Sequence, residues 1–535
     1  MALLDADPVP QDPSGLVPAP ARVEPSSPAS DAPPPERTGR GLVLAVALGC
    51  VLLRLAYAGR TVGRDEAGFL LVGSQWSEGG GSLYGSYWVD RPPLLITLFW
   101  LGDQLGGLVA LRVLGALGAG LAVLALAGAA RTLWGTRAAV PTAVVAAALL
   151  SSHLLASLEV NGELLAAPFL AGGMLAAVRA AQRFESASGP DQAGLAWAAV
   201  TGVCAVAALL VKQNMADVVV FGLVLGLALV RSGRVVTAQI GPALAAAAAG
   251  VLAALVAASV WSLTWGTSPV DVFDAMYPFR LEASRVIAGD EGAGESLERL
   301  VRLLGGFAAS GLALLVVTAT GLALARGRRE PVLVALAATL GYGVFSMLAG
   351  SVYWLHYLIE LVPAASLVAG YVLSRPAEAV GRRLRAGVVL ACVLAVLSTG
   401  VSLVRAAVVE PRGDQRAVGE ALAGAARADD TLVTLYGDSD LNYRAGLPSP
   451  YEHLWNLPIK VRDPQLRGLV DVLEGRRAPA WVVSGRSLET WGLETRRTRR
   501  LLEQRYRLVA RCARYDVHLR VGLDRPAPAC ESVVG

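Results

Sequence analysis

Charge is scarce in this chain. Asp, Glu, Lys and Arg make up 17% of its 535 residues, while 54% are hydrophobic. Soluble globular domains carry about 25% charged residues, so this deficit excludes a soluble enzyme built round one core. The basic excess is small, a formal net charge of +4, and offers no footing for nucleic acid. Cysteine is sparse, 5 in all. Cys50, Cys204 and Cys392 lie in apolar runs and read as small core residues. Cys512 and Cys530 fall in the polar C-terminal segment, where spacing alone does not decide whether they pair. No internal repeat is visible. No small-residue cleavage site follows the first apolar run, which therefore reads as a retained anchor and not a signal peptide.

What the chain has in abundance is apolar runs of about 20 residues, long enough to cross a hydrocarbon layer of roughly 30 Å. They are apolar all round, unlike the one-sided helices of a soluble core. The fold class is thus mostly α, a polytopic transmembrane helical bundle. The runs fall near 41–57, 108–130, 138–157, 164–181, 195–211, 216–230, 241–263, 306–325, 331–350, 357–373 and 386–404, predicting about eleven spans. Residues 1–39, rich in Pro, Ala, Ser and charge, predict a disordered cytoplasmic tail. Residues 40–405 form the membrane domain. With the N-terminus in the cytoplasm, every inner connection carries at least two arginines: Arg131 and Arg137, Arg179 and Arg183, Arg231 and Arg234, Arg326, Arg328 and Arg329, then Arg375, Arg382, Arg383 and Arg385. That is the positive-inside pattern, and an odd span count puts the C-terminus outside. There, residues 406–535 change composition. "TLVTLYG" (431–437) and "AWVVSG" (480–485) read as strands among helix-like stretches near 413–427, 464–475 and 493–505, with a terminal hairpin. This predicts a small extracytoplasmic α/β domain.

Two outer connections are long, 59–107 and 264–305. The first holds Trp76, Tyr84, Tyr87 and Trp88, aromatics suited to a membrane interface. It ends in a short apolar helix near 92–107, with Pro92 and Pro93 in its first turn. Unusual polar residues gather on this outer side. Asp65, Glu66 and Arg91 lie in the first loop. His153, Glu159, Asn161 and Glu163 surround the next outer turn. Lys212 caps the fifth span, Arg280 lies in the second long loop, and His356 and Tyr357 stand at the outer start of the tenth span. Ionisable groups at membrane depth are costly unless they pair or face a polar cavity. Their common side predicts one shared cavity. Each has a plainer reading. Adjacent acids suit a helix N-terminus, Arg91 and Lys212 can reach lipid headgroups, and Glu159 and Glu163, if helical, share a face and repel. Arg54, inside the first span, needs a partner, and Asp65 or Glu66 is near enough in sequence to supply one.

The order of these features carries a resemblance. A span ending in Arg54 is followed by "DEAGFL", then aromatics, then "VDRPPLLITLFWLGDQLGGLVALRVLG", with Arg112 opening the second span. This resembles the first outer loop and second span of the membrane glycosyltransferases of the C superfamily, in the branch of protein O-mannosyltransferases and bacterial aminoarabinose transferases. "LEVNGELLAAPF" resembles its second acidic motif, with Glu163 in the acidic place. "YWLHYLIELVPAASLVAG" resembles its late His-Tyr-and-Pro helix, with Pro363 matching, and "LYGDSDLNYRAGLPSPYEHL" resembles an outer-domain motif of some bacterial members. The middle spans match only in pattern. The resemblance implies transfer of a hexosyl or pentosyl unit from a polyprenyl-phosphate donor to an acceptor hydroxyl on a cell-envelope glycan, glycolipid or protein, at the outer face of the cytoplasmic membrane, with inversion. It implies Asp65 as base, with Glu66 beside it, and Arg91, Lys212, His356 and Tyr357 on the donor phosphate. Arg54, Glu159, Asn161, Glu163 and Arg280 support them. A divalent metal, Mg or Mn on Glu66 and Glu163, would relieve their repulsion. The rival readings are a transporter, which favours midplane sites and repeats, and a non-enzymatic cell-envelope assembly protein.

Overall fold

The computed structural model describes residues 35–77, 80–186, 191–289, 293–350, 352–408 and 414–530. The expected disordered tail lies outside the described residues as far as residue 34, and residues 35–39 already belong to the first helix. Each of the eleven apolar runs is helical over most of its length, although 138–157 leaves its helix at Leu150 and 306–325 breaks after Ala309. In chain order the helices are α1 (Pro35–Leu55), α2 (Arg64–Ser74), α3 (Pro93–Gln104), α4 (Leu108–Trp134), α5 (Thr136–Leu150), α6 (Gly162–Ser186), α7 (Gln192–Val211), α8 (Asp217–Arg231), α9 (Thr237–Thr264), α10 (Pro269–Met276), α11 (Pro278–Ala288), α12 (Ala293–Ala309), α13 (Leu312–Arg326), α14 (Pro331–Ala349), α15 (Val362–Leu373, led by a 3-10 turn Leu355–Leu361), α16 (Ala377–Val380) and α17 (Arg382–Val408). Among the described residues, seven helices are long and apolar enough to cross a membrane, or eight if α12 and α13, bent by 68°, form one broken span. The remaining runs are α1 and the 15-residue helices α5 and α8. At 1.5 Å per residue these two reach about 22 Å, short of a full hydrocarbon layer.

The bundle closes through small residues. A Cβ on Gly202 of α7 would strike the Ala247 carbonyl of α9, and one on Gly250 of α9 would strike the Ala199 carbonyl of α7. The crossing is thus reciprocal, backbone on backbone, as small residues permit between helices in lipid. Gly370 of α15 leaves room for the Thr142 hydroxyl of α5. α15 with its leading turn is the innermost span, 83% buried, whereas α9 is only 6% buried and lies at the rim. Asp191 caps α7 by accepting from the Gly194 amide, and Asn161 caps α6 by accepting from the Leu164 amide at 3.0 Å. Pro92 and Pro93 open α3, where a missing N–H costs nothing.

The C-terminal domain runs α18 (Asp414–Ala425), β1 (Leu432–Thr434), α19 (Ser439–Ala445), α20 (Asn456–Arg462), α21 (Arg467–Glu474), β2 (Trp481–Gly485), α22 (Arg496–Arg505), β3 (Tyr506–Cys512) and β4 (Tyr515–Arg520). The strand order is β1-β2-β4-β3. β1 and β2 are parallel, Leu432 opposite Trp481, while β4 is antiparallel to β2 and β3. Alternation along β2 sends Trp481 and Val483 to one face, with Val418, Leu422 and Leu441. Val482 goes to the other, with Leu469, Leu473 and Leu502. Helices therefore cover both faces. Cys512 and Cys530 form a disulfide, Cα–Cα 5.4 Å.

The α7–α9 crossing yields a test. Gly250→Leu should destabilise the bundle by about 1–3 kcal/mol through overpacking and lower the melting midpoint of the detergent-solubilised protein. A midpoint equal to wild type would show that the two backbones do not meet.

Candidate active site

The two adjacent acids of "GRDEAGFL" part company at the start of α2. Neighbouring positions on a helix point about 100° apart, and the structure uses that angle. Glu66 turns inward and is fully buried. Its carboxylate accepts from Arg112 Nη2 at 2.6 Å and Nε at 3.1 Å, from the Val160 amide at 2.8 Å and from the Gly63 amide at 3.1 Å. Arg112 spends its other protons on the carbonyls of Ala58, Arg60 and Thr61, at 3.0, 2.6 and 3.0 Å. Asp65 turns outward and is half-buried. Its Oδ1 accepts from Trp455 Nε1 at 3.0 Å. Among the described residues it has no other hydrogen-bond or ion-pair partner.

Asp65 faces a basic cluster. Asp90, buried just ahead of the proline pair, holds two arginines from different loops: Arg91 Nη1 at 2.8 Å on Oδ1 and Arg280 Nη2 at 2.5 Å on Oδ2. Arg91 also lies over the Phe69 ring, 5.4 Å from its centre, and within electrostatic reach of Asp65, Tyr357 and Glu163. Across the cluster, Lys212 at the C-cap of α7 pairs with Glu163 and sits 4.1 Å from the centre of the Tyr357 ring. His356 Nε2 stands 3.7 Å from the same Glu163 oxygen. Three cations thus meet two carboxylates, a surplus of one positive charge with Asp65 and His356 set aside. Asp65, Arg91, Glu163, Lys212, Arg280, His356 and Tyr357 share this end of the bundle.

Other sequence candidates stand apart from the cluster. Arg54 does not pair with Asp65 or Glu66. Its Nη1 donates to the Leu150 carbonyl at 2.5 Å, because Arg112 already occupies Glu66. Asn161 is spent on capping, with Nδ2 on the Ala156 carbonyl at 3.2 Å. Glu159 precedes α6, so the helical face expected to join it to Glu163 does not exist. It is exposed to solvent, with its carboxylate lying against Gly63. Desolvation of that carboxylate, with the Glu66 and Asp65 carboxylates, raises its pKa from 4.5 to about 7. The donor set does not fit a divalent ion. Glu66 is saturated by Arg112 and two amides, Glu163 is committed to Lys212, and no group of three metal-ligating side chains occurs among the described residues. A cavity of about 660 Å³ opens beside the cluster, under Trp88 and Phe279. Asp271, Asp274, Glu282 and Glu452 face Arg462 around it, and it does not reach Asp65 or Lys212. Its acidic wall is the wrong sign for a phosphate.

Sequence reasoning missed Asp90, the anchor of both arginines, although "VDRPP" contained it. A carboxylate next to an arginine reads as a local pair, and nothing local signals a second arginine 190 positions on. It also missed Trp455, and a polar group deeper in the bundle. There Asn214 Nδ2 donates to Ser346 at 2.7 Å and to Glu360 at 3.1 Å, and Tyr342 donates to the Asn214 carbonyl at 2.6 Å.

Glu159 sets a pH test. The folded protein holds its proton up to about pH 7, while the unfolded chain releases it near the ordinary carboxylate value of about 4.3. Between these values the folded state binds more protons, so stability falls as pH rises through the window. Glu159→Gln should flatten the fall in melting midpoint across that window. A slope identical to wild type would rule the shift out.

Among solved structures, the chain is similar to ArnT from Cupriavidus metallidurans. The form bound to undecaprenyl phosphate superposes with a TM-score of 0.57 at 16% identity, covering 90% of this chain and 98% of that one. The apo form gives 0.55 at 15% identity over the same shares. The Archaeoglobus fulgidus oligosaccharyltransferase complex with zinc and sulfate is a weaker match, TM-score 0.48 at 13% identity, over 83% of this chain and 68% of that one. No family model and no curated sequence matches the chain. At such identities the likeness is one of architecture: the chain shares the polytopic helical fold of that ArnT.

Proposed function

We propose that this protein is an integral membrane glycosyltransferase. It moves a sugar from a polyprenyl-phosphate donor to an acceptor hydroxyl at the outer face of the cytoplasmic membrane. The observation that carries the reading is the convergence of Asp65 with Arg91, Arg280 and Lys212 at one end of the bundle. The fold adds support, because the ArnT that shares it was solved with undecaprenyl phosphate. The arginine-rich connections between spans favour an inner N-terminus and an outer site and C-terminal domain.

The chemistry follows from the charges. The acceptor O–H loses its proton to the Asp65 carboxylate while the oxygen's lone pair bonds to the anomeric carbon. The bond from that carbon to the phosphate oxygen breaks on the opposite face, and its electron pair leaves with the lipid phosphate. A phosphate is a weak base and departs without a general acid. It gains negative charge as it leaves, and cations placed beforehand stabilise that charge best. Arg91 and Arg280 hold their guanidinium forks on the shared Asp90, so neither has to be ordered at the moment of reaction. Lys212 adds a third charge, screened by Glu163. Tyr357 lies beneath it and offers a hydroxyl donor. One backside displacement inverts the anomeric centre. The membrane setting suits the two substrates, since the prenyl tail enters from lipid and the acceptor from water. α3 and the segment around α10 and α11 wall the site and limit hydrolysis.

The test uses purified protein in lipid nanodiscs with a panel of radiolabelled undecaprenyl-phosphate sugars. Wild type should turn over one donor. Asp65→Asn should lower kcat by about 10²–10⁴-fold, the usual worth of a positioned base. Arg280→Ala should raise KM for the donor by about 10–100-fold, the worth of one charged hydrogen bond. Folded wild type that neither binds nor turns over any donor would overturn the reading. Full activity in Asp65→Asn would remove Asp65 as the base.

A further inference from the structure

We infer that Trp455, from the C-terminal domain, is a positioning residue for Asp65. Its indole N–H holds Oδ1 and leaves Oδ2 as the oxygen that takes the acceptor's proton. The inference rests on the reading of Asp65 as the base.

The indole is seated, not draped. Gly68 on α2 gives it room: a Cβ there would overlap the six-membered ring of Trp455 and come within 2.9 Å of Ser439 Oγ. Phe69, the next residue, packs against the indole with ring centres 5.0 Å apart. Against the main chain of Trp455, Gly437 adopts φ +107, a conformation that L side chains rarely reach. A Cβ there would lie 2.5 Å from the Asn456 amide nitrogen. The indole thus packs closely on α2, and the main chain that carries it packs closely on Gly437.

The domain that carries Trp455 is pinned at the same spot. Arg64, next to Asp65, pairs with Asp438, and Ser439 Oγ donates to the Arg64 carbonyl at 3.0 Å. Arg444 Nη2 donates to the Val62 carbonyl at 3.0 Å. Tyr515 of β4 donates to Asp438 at 2.8 Å, tying this contact to the sheet. Nearby, the Trp88 amide donates to the Glu452 carbonyl at 3.1 Å, and the Ser449 amide donates to Tyr87 Oη at 2.9 Å. With so many ties already joining the domain to the first outer loop, one more hydrogen bond adds little to docking. It does settle which way the Asp65 carboxylate points. A general base must aim one oxygen at the proton it takes, and a side chain with one donor and no acceptor suits the task. It fixes one oxygen and cannot compete for the proton. Phe69 touches both Trp455 and Arg91, so one ring links the seat of the indole to the basic cluster.

The experiment uses the full chain in nanodiscs with the same panel of radiolabelled undecaprenyl-phosphate sugars. Trp455→Phe keeps an aromatic ring and loses the N–H. Replacement of Trp455 by 3-benzothienylalanine through amber suppression keeps the bicyclic shape, with sulfur in place of the N–H. Both should lower kcat by about 10–100-fold, the cost of a misaimed catalytic group. KM for the donor and the melting midpoint should stay at wild-type values. If the Phe variant fails to fold, the benzothienyl variant decides. Wild-type kcat in the benzothienyl variant would overturn the inference and leave the proposed function standing. A fall in melting midpoint with no change in kcat would reduce Trp455 to a docking residue. Inactive wild type would overturn the proposed function and this inference with it.

Discussion

The end of the bundle that carries the candidate site is organised round one buried ion pair, Glu66 with Arg112. Burying two charges costs several kcal/mol each unless every lone pair and proton finds a partner. Here each does. Glu66 gathers two amides as well as the guanidinium, and Arg112 gathers three carbonyls from the turn before α2. The pair thereby ties α2, the turn after α1 and the turn before α6 to the side of α4. Its contribution is one of shape more than of net stability. Removing either partner would strand a buried charge, so only one arrangement of these loops is tolerable. Asp65, one residue away, inherits its position from that arrangement.

The adjacent acids illustrate how environment divides labour between identical groups. One helix step separates them in sequence. One is dry and saturated, the other is half in water with a single donor. The charge that is neutralised on all sides serves structure, while the other keeps a free oxygen. The basic side of the site follows the same logic. Asp90 and Glu163 are buried counter-charges that hold cations in place and leave a small positive surplus.

Much of this was legible beforehand, for a physical reason. Hydropathy is a local property, so apolar runs such as 331–350 and 386–404 report their helices directly, as α14 and α17. The strands at Leu432 and Trp481 announced themselves in the same way, by β-branched runs between turn residues. The gathering of polar residues at one end also followed from counting spans. What could not be read was partnership. Asp90 and Arg280 meet across two loops, Asp65 and Trp455 across the whole membrane domain, and Arg54 passes over the nearby acids for a backbone carbonyl. Each choice depends on which other partner arrives first in three dimensions, and no window of residues contains that information. The polar group of Asn214, Ser346 and Glu360 was hidden for the same reason, since its members lie in three separate stretches of the sequence.

The contact between Asp65 and Trp455 spans 390 residues. A ribosome adding about 5–20 residues per second needs about 20–80 s to make that stretch. The segment between α1 and α4 thus waits while every later helix and the C-terminal domain are made. A chain cut short before residue 455 would carry its carboxylates and arginines without the indole that closes over them. Assembly therefore runs like a lock whose key is synthesised last, and the centre is complete only on a finished molecule.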